Sequence, residues 1–199
     1  MKFQRLQWTI ALCSIILAST GCSQDSKKQP ANQEANDVET NKIKEPDSSD
    51  IKRIGSTIIL YEKAINYDKP TFAQFKEGVS FELTNYVMDF FTNDMAEKVH
   101  KNMEAIVLHD ETKFKENMFD ESTVKASMNW FDYKYTDGVK FEFKELNGIT
   151  YDEVAKRIQV IVTFVRNTND KEIEKEIMTY SLLKEKSKGQ WLIAHMDGN

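Results

Sequence analysis

Cysteine is nearly missing from this chain of 199 residues, and the two present, Cys13 and Cys22, both lie within the first 22 positions. Whatever folds after them does so without a disulfide and can offer neither a thiolate nucleophile nor a cysteine metal ligand. Imidazole is almost as scarce, with His100, His109 and His195 as the whole supply. No HExxH, CxxC, GxSxG, phosphate-loop or EF-hand spacing occurs, so no short motif announces metal, nucleotide or nucleophilic chemistry, and no metal or cofactor is expected. Positive charge is in deficit as well. The formal net charge is −5, and it becomes −7 once residues 1–21 are set aside, because they carry Lys2 and Arg5 and no acid. Such a surface lacks the clustered Lys and Arg that neutralise phosphates, which argues against nucleic acid as a partner. The few glycines and prolines, set against plentiful Lys and Asn, give a composition similar to that of low-GC Gram-positive bacteria.

The one long apolar run stands at the start. Residues 1–22 read MKFQRLQWTIALCSIILASTGC, with Lys2 and Arg5 ahead of apolar positions from Trp8 to Ala18 and then small residues. That order is the layout of a secretory signal, and the apolar run is short for a membrane span. The stretch Ala18-Ser19-Thr20-Gly21-Cys22 resembles the lipobox of bacterial lipoproteins, although Ser19 stands where that family usually has leucine. The resemblance implies cleavage before Cys22, a diacylglyceryl thioether on its sulfur, and a cell-membrane lipoprotein facing outside the cytoplasm. Two acyl chains matter, because a single one gives only marginal, reversible membrane binding. Ordinary secretion and an uncleaved anchor are the alternatives. Residues 23–50 then carry Ala31, Ala35, Val38 and Ile43 as their apolar residues. They cannot bury enough surface to offset ordering entropy, so 22–50 is expected to be a lipidated cysteine and a disordered tether.

From 51 onward the pattern predicts one α+β domain. Ile51, Ile54, Ile58, Tyr61 and Ile65 recur at steps of three and four, which predicts a helix, and Pro70 suits the first turn of a short helix bearing Phe72 and Phe75. Residues 51–93 are thus expected to be extra helices. Asp94 to Glu97 has the spacing of a capping box at the head of a stripe of Met95, Val99, Met103 and Ile106. Asp110 and Asp120 are expected to cap two further helices, carrying Phe114 and Met118, then Val124, Met128 and Phe131. The period then changes to two. VKFEFKE at 139–145 alternates, IQVIVTFV at 158–165 is apolar on both faces like a covered central strand, and 172–186 alternates with a slip around Ile177 and Met178 read as a bulge or a bend. QWLIAHM at 190–196 closes a four-stranded, mainly antiparallel sheet. Turns are expected at Asn147-Gly148, 167–170 and 186–189, and the charged stretch 170–176 is expected to be a solvated arm guarding an edge.

Helices first and a sheet after, ending on Gly189-x-Trp191-x-Ile193-x-His195, resembles the nuclear transport factor 2-like superfamily over about residues 94–199. That resemblance implies a cone with a curved sheet, a fold used by isomerases, dehydratases, transport factors and non-catalytic extracytoplasmic domains. Fold alone therefore leaves function open.

Few side chains could carry chemistry. Strand alternation puts His195 and Asp197 on one face together with Trp191 and Ile193, where an acid could orient an imidazole as general base. A structural histidine in a closing strand is the simpler account. His109-Asp110 fits a helix end followed by a cap, and His100 the polar flank of its helix. Tyr151, Tyr180 and Asp132 are the residue types that isomerase chemistry needs, but no spacing selects them. Trp130, Tyr133, Tyr180 and Trp191 are the candidates for contact with a ligand or partner, within or near the aromatic cluster Trp130 to Tyr135. The leading expectation is a non-enzymatic binding module for an envelope protein or a small apolar ligand. An isomerase- or dehydratase-type pocket enzyme, a structural part of an envelope assembly, and a homodimer through the sheet are the alternatives. Replacing Cys22 by serine should abolish fatty-acid labelling and release the protein to the medium; label that persists would refute lipidation at this residue.

Overall fold

A computed structural model describes residues 52–134 and 138–198. The signal segment 1–21, Cys22, the tether to residue 50 and the side chain of Tyr133 lie outside the described residues. The order of elements is β1 (Lys52–Ile54), β2 (Thr57–Glu62), β3 (Gly78–Val79), α1 (Asn93–Val107), α2 (Glu111–Lys115), α3 (Glu121–Lys134), β4 (Val139–Asp152), β5 (Arg157–Thr168), β6 (Glu172–Lys184) and β7 (Trp191–Gly198). Two 3-10 turns, Phe72–Gln74 and Leu83–Tyr86, precede α1. The strands form one open sheet of seven, not four, in the order β1-β2-β4-β5-β6-β7. All neighbours along that path are antiparallel, and β3 adds to β4 in parallel. The class is α+β.

The front end differs most from expectation. Ahead of Asn93, where α1 starts, the expected extra helices of 51–93 are absent from the described positions, which hold a β1–β2 hairpin, β3 and the two 3-10 turns. The stripe of three- and four-residue steps is a hairpin seen end on: Gly55 takes φ +60° at the turn, and a register shift between Ile59 and Tyr61 inserts a residue into β2. Ile58 and Tyr61 thereby face the same side from a three-residue spacing, and β-branched Thr57, Ile58 and Ile59 favour the strand.

The helical part follows its stripe. Met95, Val99, Met103 and Ile106 of α1 are each at most 1% exposed, and Phe114 of α2 and Phe131 of α3 join the same core. The cap of α1 is Thr92, not Asp94; Asp94 instead accepts from Lys98 one turn on, at 2.7 Å. Asp110 and Asp120 do accept from backbone N–H groups, of Lys113 at 3.0 Å and Thr123 at 2.7 Å. His109 follows α1 at φ +54°, the left-handed position at which a helix commonly ends. Met118 lies beyond α2, bridged to Ile193 of β7.

In the sheet, Asn147-Gly148 is not a turn. β4 runs through it with register shifts at 143/145 and 146/148, which hold Phe141, Phe143, Leu146 and Ile149 in the core despite the broken alternation. β6 pairs with β5 without a slip at Ile177 and Met178; its irregularity lies against β7, at Ser181/Leu182. Nor is β6 an edge, since it runs between β5 and β7. Its charged start is partly tied down, because Arg166 contacts both Glu174 and Glu176.

The helices cover one face of the sheet, where Val160, Val162, Phe164, Met178, Tyr180 and Leu182 are fully buried. On the other face Thr163 and Val165 are also fully buried at one end. There the segment 63–77 crosses the sheet: Lys175 donates to the Asn66 carbonyl at 2.9 Å, and the Lys76 N–H to Glu142 at 3.1 Å. Buried Pro70 lies across from Ile173.

Three turn aspartates set an acid limit. Bonds from the backbone N–H of Lys113, Thr123 and Ala155 are the main reason that Asp110, Asp120 and Asp152 lie below the usual carboxylate range. A depressed folded pKa contributes stability that is full above the unfolded value of about 4 and is lost as pH falls below it. The melting temperature should therefore hold at about pH 5–7 and fall below about pH 4. Asp120→Ala should lower it at neutral pH and weaken the acid dependence, as thermal scans across pH would show.

Candidate functional site

The interior between sheet and helices is filled. Phe141, Phe143, Phe164, Val160, Val162 and Ile193 are each 0% exposed, and ring pairs Phe143–Phe164 at 5.7 Å and Phe114–Phe131 at 4.4 Å close the space. Two of the aromatic candidates belong to this wall. Trp130 packs on Phe141 and Phe164, with centroids 6.4 and 6.2 Å away. Tyr180 is fully buried, and burial pushes its phenol well above the ordinary value. Neither the Tyr180 hydroxyl nor Trp130 Nε1 has a hydrogen-bond partner among the described residues. Among the described residues the interior is a packed core whose polar tips are stranded, and no acid meets a base within it.

The closing strand is clamped from the side. Ile193 exchanges backbone bonds with Asn117 and Phe119 at 2.9 and 2.8 Å, Lys98 donates to the Trp191 carbonyl at 2.8 Å, and Thr123 donates to that of Ala194 at 3.2 Å. Trp191 packs partly buried against the core. Leu182 pairs with Ile193 while Ser181 pairs with His195, so one extra residue, Ala194, sits between them. That insertion reverses the facing of everything after it. Met196 packs against the core, whereas His195 and Asp197 are exposed on the outer face, away from Ile193 and not beside it as plain alternation predicts.

The outer face is where the remaining candidates meet. Register places Ile59, Thr150, Gln159, Ser181 and His195 in one row across five strands, and Gly148, Ile161, Thr179 and Asp197 in the next. Between the β2 side of these rows and the crossing segment lies an open groove of about 530 Å³, lined by Ile59, Tyr61, Ile65, Tyr67, Thr150 and Ile161 among others. Gly148 helps keep its floor low, since a Cβ there would stand 3.4 Å from Ile161 Cδ1. Beside it, Thr163 donates to Asn147 Oδ1 at 2.7 Å in a buried pair. Burial, and next the neighbouring Tyr86, hold the Tyr61 phenol above its usual value, and the two rings meet edge to face at 4.9 Å.

This surface offers aliphatic, phenolic, hydroxyl and amide groups, which suits binding. Ser181 and His195 are cross-strand neighbours with Asp197 two residues on, yet no hydrogen bond or ion pair among the described residues joins them. A working nucleophile and base need contact at about 2.6–3.2 Å. Tyr151 stacks on Phe90 at 4.5 Å, and Asp132 is exposed on α3; neither joins the groove. His100 lies 3.5 Å from Glu104. Among the described residues no group of His, Cys, Asp and Glu could hold a metal ion, and no helix is long and apolar enough to cross a membrane. No local sequence pattern marks the groove residues, because they lie up to about a hundred positions apart. The one available signal was the second apolar face of IQVIVTFV.

The stranded hydroxyl gives a direct check of the packed interior. Leaving a buried hydroxyl unpaired costs about 1–3 kcal/mol, so Tyr180→Phe should hold or raise stability, by up to about that amount. Urea unfolding measures this; a loss above about 1 kcal/mol would reveal a bond from this hydroxyl and reopen the interior as a polar site.

In comparison with known proteins, no family model and no curated protein matches the chain, and no solved structure matches its fold.

Proposed function

We propose that this protein is a lipoprotein of the outer side of the cytoplasmic membrane, held through Cys22, whose α+β domain is a non-enzymatic module binding an envelope protein or a small apolar ligand. The observation that carries the binding part is the contrast between the two faces of the sheet. The helix-covered face is filled by apolar side chains, while the outer face keeps an open groove of about 530 Å³ with Ile59, Ile161 and Tyr61 in its walls. Recognition sites are concave and mostly apolar with a few polar groups, and here Thr150 and the Tyr67 phenol would supply them. The lipobox-like segment supports the anchor, and the absence of a transmembrane helix among the described residues is compatible with it.

We read the fold as a relative of the nuclear transport factor 2-like cone. Three helices ahead of the long strands, sheet bulges and the G-x-W-x-I-x-H ending support that kinship. The additional β1–β2 hairpin extends the sheet beside β4, where the groove lies. The isomerase-type alternative loses support from the filled interior, and the His195–Asp197 pair favours it only by sharing the outer face.

A photo-crosslinking residue at Thr150 tests the groove in intact cells, with Leu108, 66% exposed at the end of α1, as the control site. A product of defined mass from position 150 and not from 108 is expected. A product made only of the protein itself would turn the reading to self-association through the sheet, and equal yields from both sites would remove the groove as the binding surface.

A further inference from the structure

Three turns gather at the end of the sheet where the described chain begins. The β1–β2 turn meets the β4–β5 turn through the Glu153 N–H on the Ser56 carbonyl at 2.9 Å and through Arg53 on Glu153 at 2.7 Å. The β6–β7 turn is alongside, because Arg157 pairs with Leu183. Lys156, Lys184, Lys186 and Lys188 project from this end and are all exposed. None of their ammonium groups forms an ion pair among the described residues; Glu185 in the same turn is held below its usual range first by the Ser187 hydroxyl, with the charge of Lys188 as a smaller contribution. The acids nearby are engaged, Glu153 by Arg53, Asp152 by its turn N–H groups and Arg157, and Glu185, which shares the cavity wall with the lysines, by the Ser187 hydroxyl and the Lys188 N–H. A protein of net charge −5 thus presents a locally basic end.

Apolar side chains stand among the lysines. Val154 at the tip of the β4–β5 turn is 81% exposed and Ile54 at the β1–β2 turn 62%. Phe119, Ala155 and Leu183 wall an open cavity of about 680 Å³ that Lys156, Lys184 and Lys186 also line. Exposed aliphatic tips ringed by unpaired lysines are the chemistry that a bilayer surface rich in anionic lipid recognises.

We propose that this end of the sheet docks on the anionic surface of the membrane. The proposal rests on the reading of Cys22 as the anchor and adds an orientation to it. Cys22 is about 30 residues before Lys52, a length whose extended reach of about 100 Å would by itself allow any orientation. Two facts select one. The described chain begins at Lys52, next to Arg53, which meets Glu153 of the β4–β5 turn at 2.7 Å, and the charge of this end complements anionic headgroups. Each lysine near such a surface strengthens binding on the order of fivefold, and the attraction falls off within a Debye length.

The full-length chain tests this when reconstituted through its anchor into vesicles of phosphatidylcholine alone or mixed with phosphatidylglycerol. Lysine acylation is then followed residue by residue by mass spectrometry. Lys156, Lys184, Lys186 and Lys188 should be labelled on the order of fivefold more slowly on the anionic vesicles, and high salt should restore the rate. Lys69 and Lys171, exposed by the opposite end of the sheet, should react alike on both. Equal rates for the four lysines would overturn the proposal, and so would slowing on neutral vesicles as well, the mark of a protein or self-contact. The intact mass reports the anchor separately. A chain lacking lipid at Cys22 refutes the anchor, while slowed labelling on anionic vesicles with which that chain still sediments upholds the basic end.

Discussion

Two neighbouring residues of β5, Phe164 and Val165, are both 0% exposed, and because successive side chains of a strand point to opposite faces, the sheet has to be covered twice. The fold is arranged around that requirement. The helices supply one cover, with the apolar stripe of α1 joining Phe143 and Phe164 in one core and Trp130 of α3 packed on Phe164, and Asn102 tying α1 to α2 through a buried bond to the Phe114 carbonyl at 2.9 Å. The second cover is a stretch of chain whose one regular element is the 3-10 turn Phe72–Gln74, and it reaches only one end of the face. What it leaves bare is the groove and the rows leading to His195 and Asp197. The surface available for binding is therefore the remainder of an incomplete cover.

Bulges decide what lies on each face. Shifts in β2, in β4 and between β6 and β7 each insert a residue, and each restores apolar side chains to the core after alternation would have carried them out. Leu146 and Ile149 share a face only because an extra residue separates them. The same device acts at Ala194, where it keeps Met196 inward and turns His195 out. Bulges let a long strand follow a curved core without surrendering burial, and they also place polar residues where the sequence would put apolar ones.

This explains which parts of the fold could be read from the sequence. The stripes of α1 and α3, the caps at Asp110 and Asp120, the alternation of VKFEFKE and the two-sided apolarity of IQVIVTFV depend on local periodicity, and they predict elements that the structure contains. The hairpin of Ile54, Ile58 and Tyr61 carries a helical period because a glycine turn followed by a bulge imitates one; Gly55 and the β-branched run after it are the local features that favour a hairpin. Asn147-Gly148, a favoured turn pair, stays inside a strand because burial on both sides outweighs local turn preference. The candidate site was less legible still. Trp130 and Tyr180, chosen as amphipathic aromatics, are core wall, and the groove joins Ile59 to Thr150 and Ile161 by pairing that no local pattern encodes.

The two surface features are at right angles, and that geometry links the proposals. The basic turns stand at one end of the strands, whereas the groove lies on the side of the sheet. If the end rests on headgroups, the strands stand up from the bilayer and the outer face is presented sideways, clear of lipid and within reach of neighbouring envelope proteins. The reverse arrangement, with the outer face on the membrane, would set the exposed Asp197 toward anionic headgroups and bury Thr150 and Gln159 without protein partners, both of which oppose it. The proposed anchored binding module would need its recognition face held off the surface that tethers it, and on this sheet that separation would follow from placing charge at a strand end and apolar side chains on a strand face.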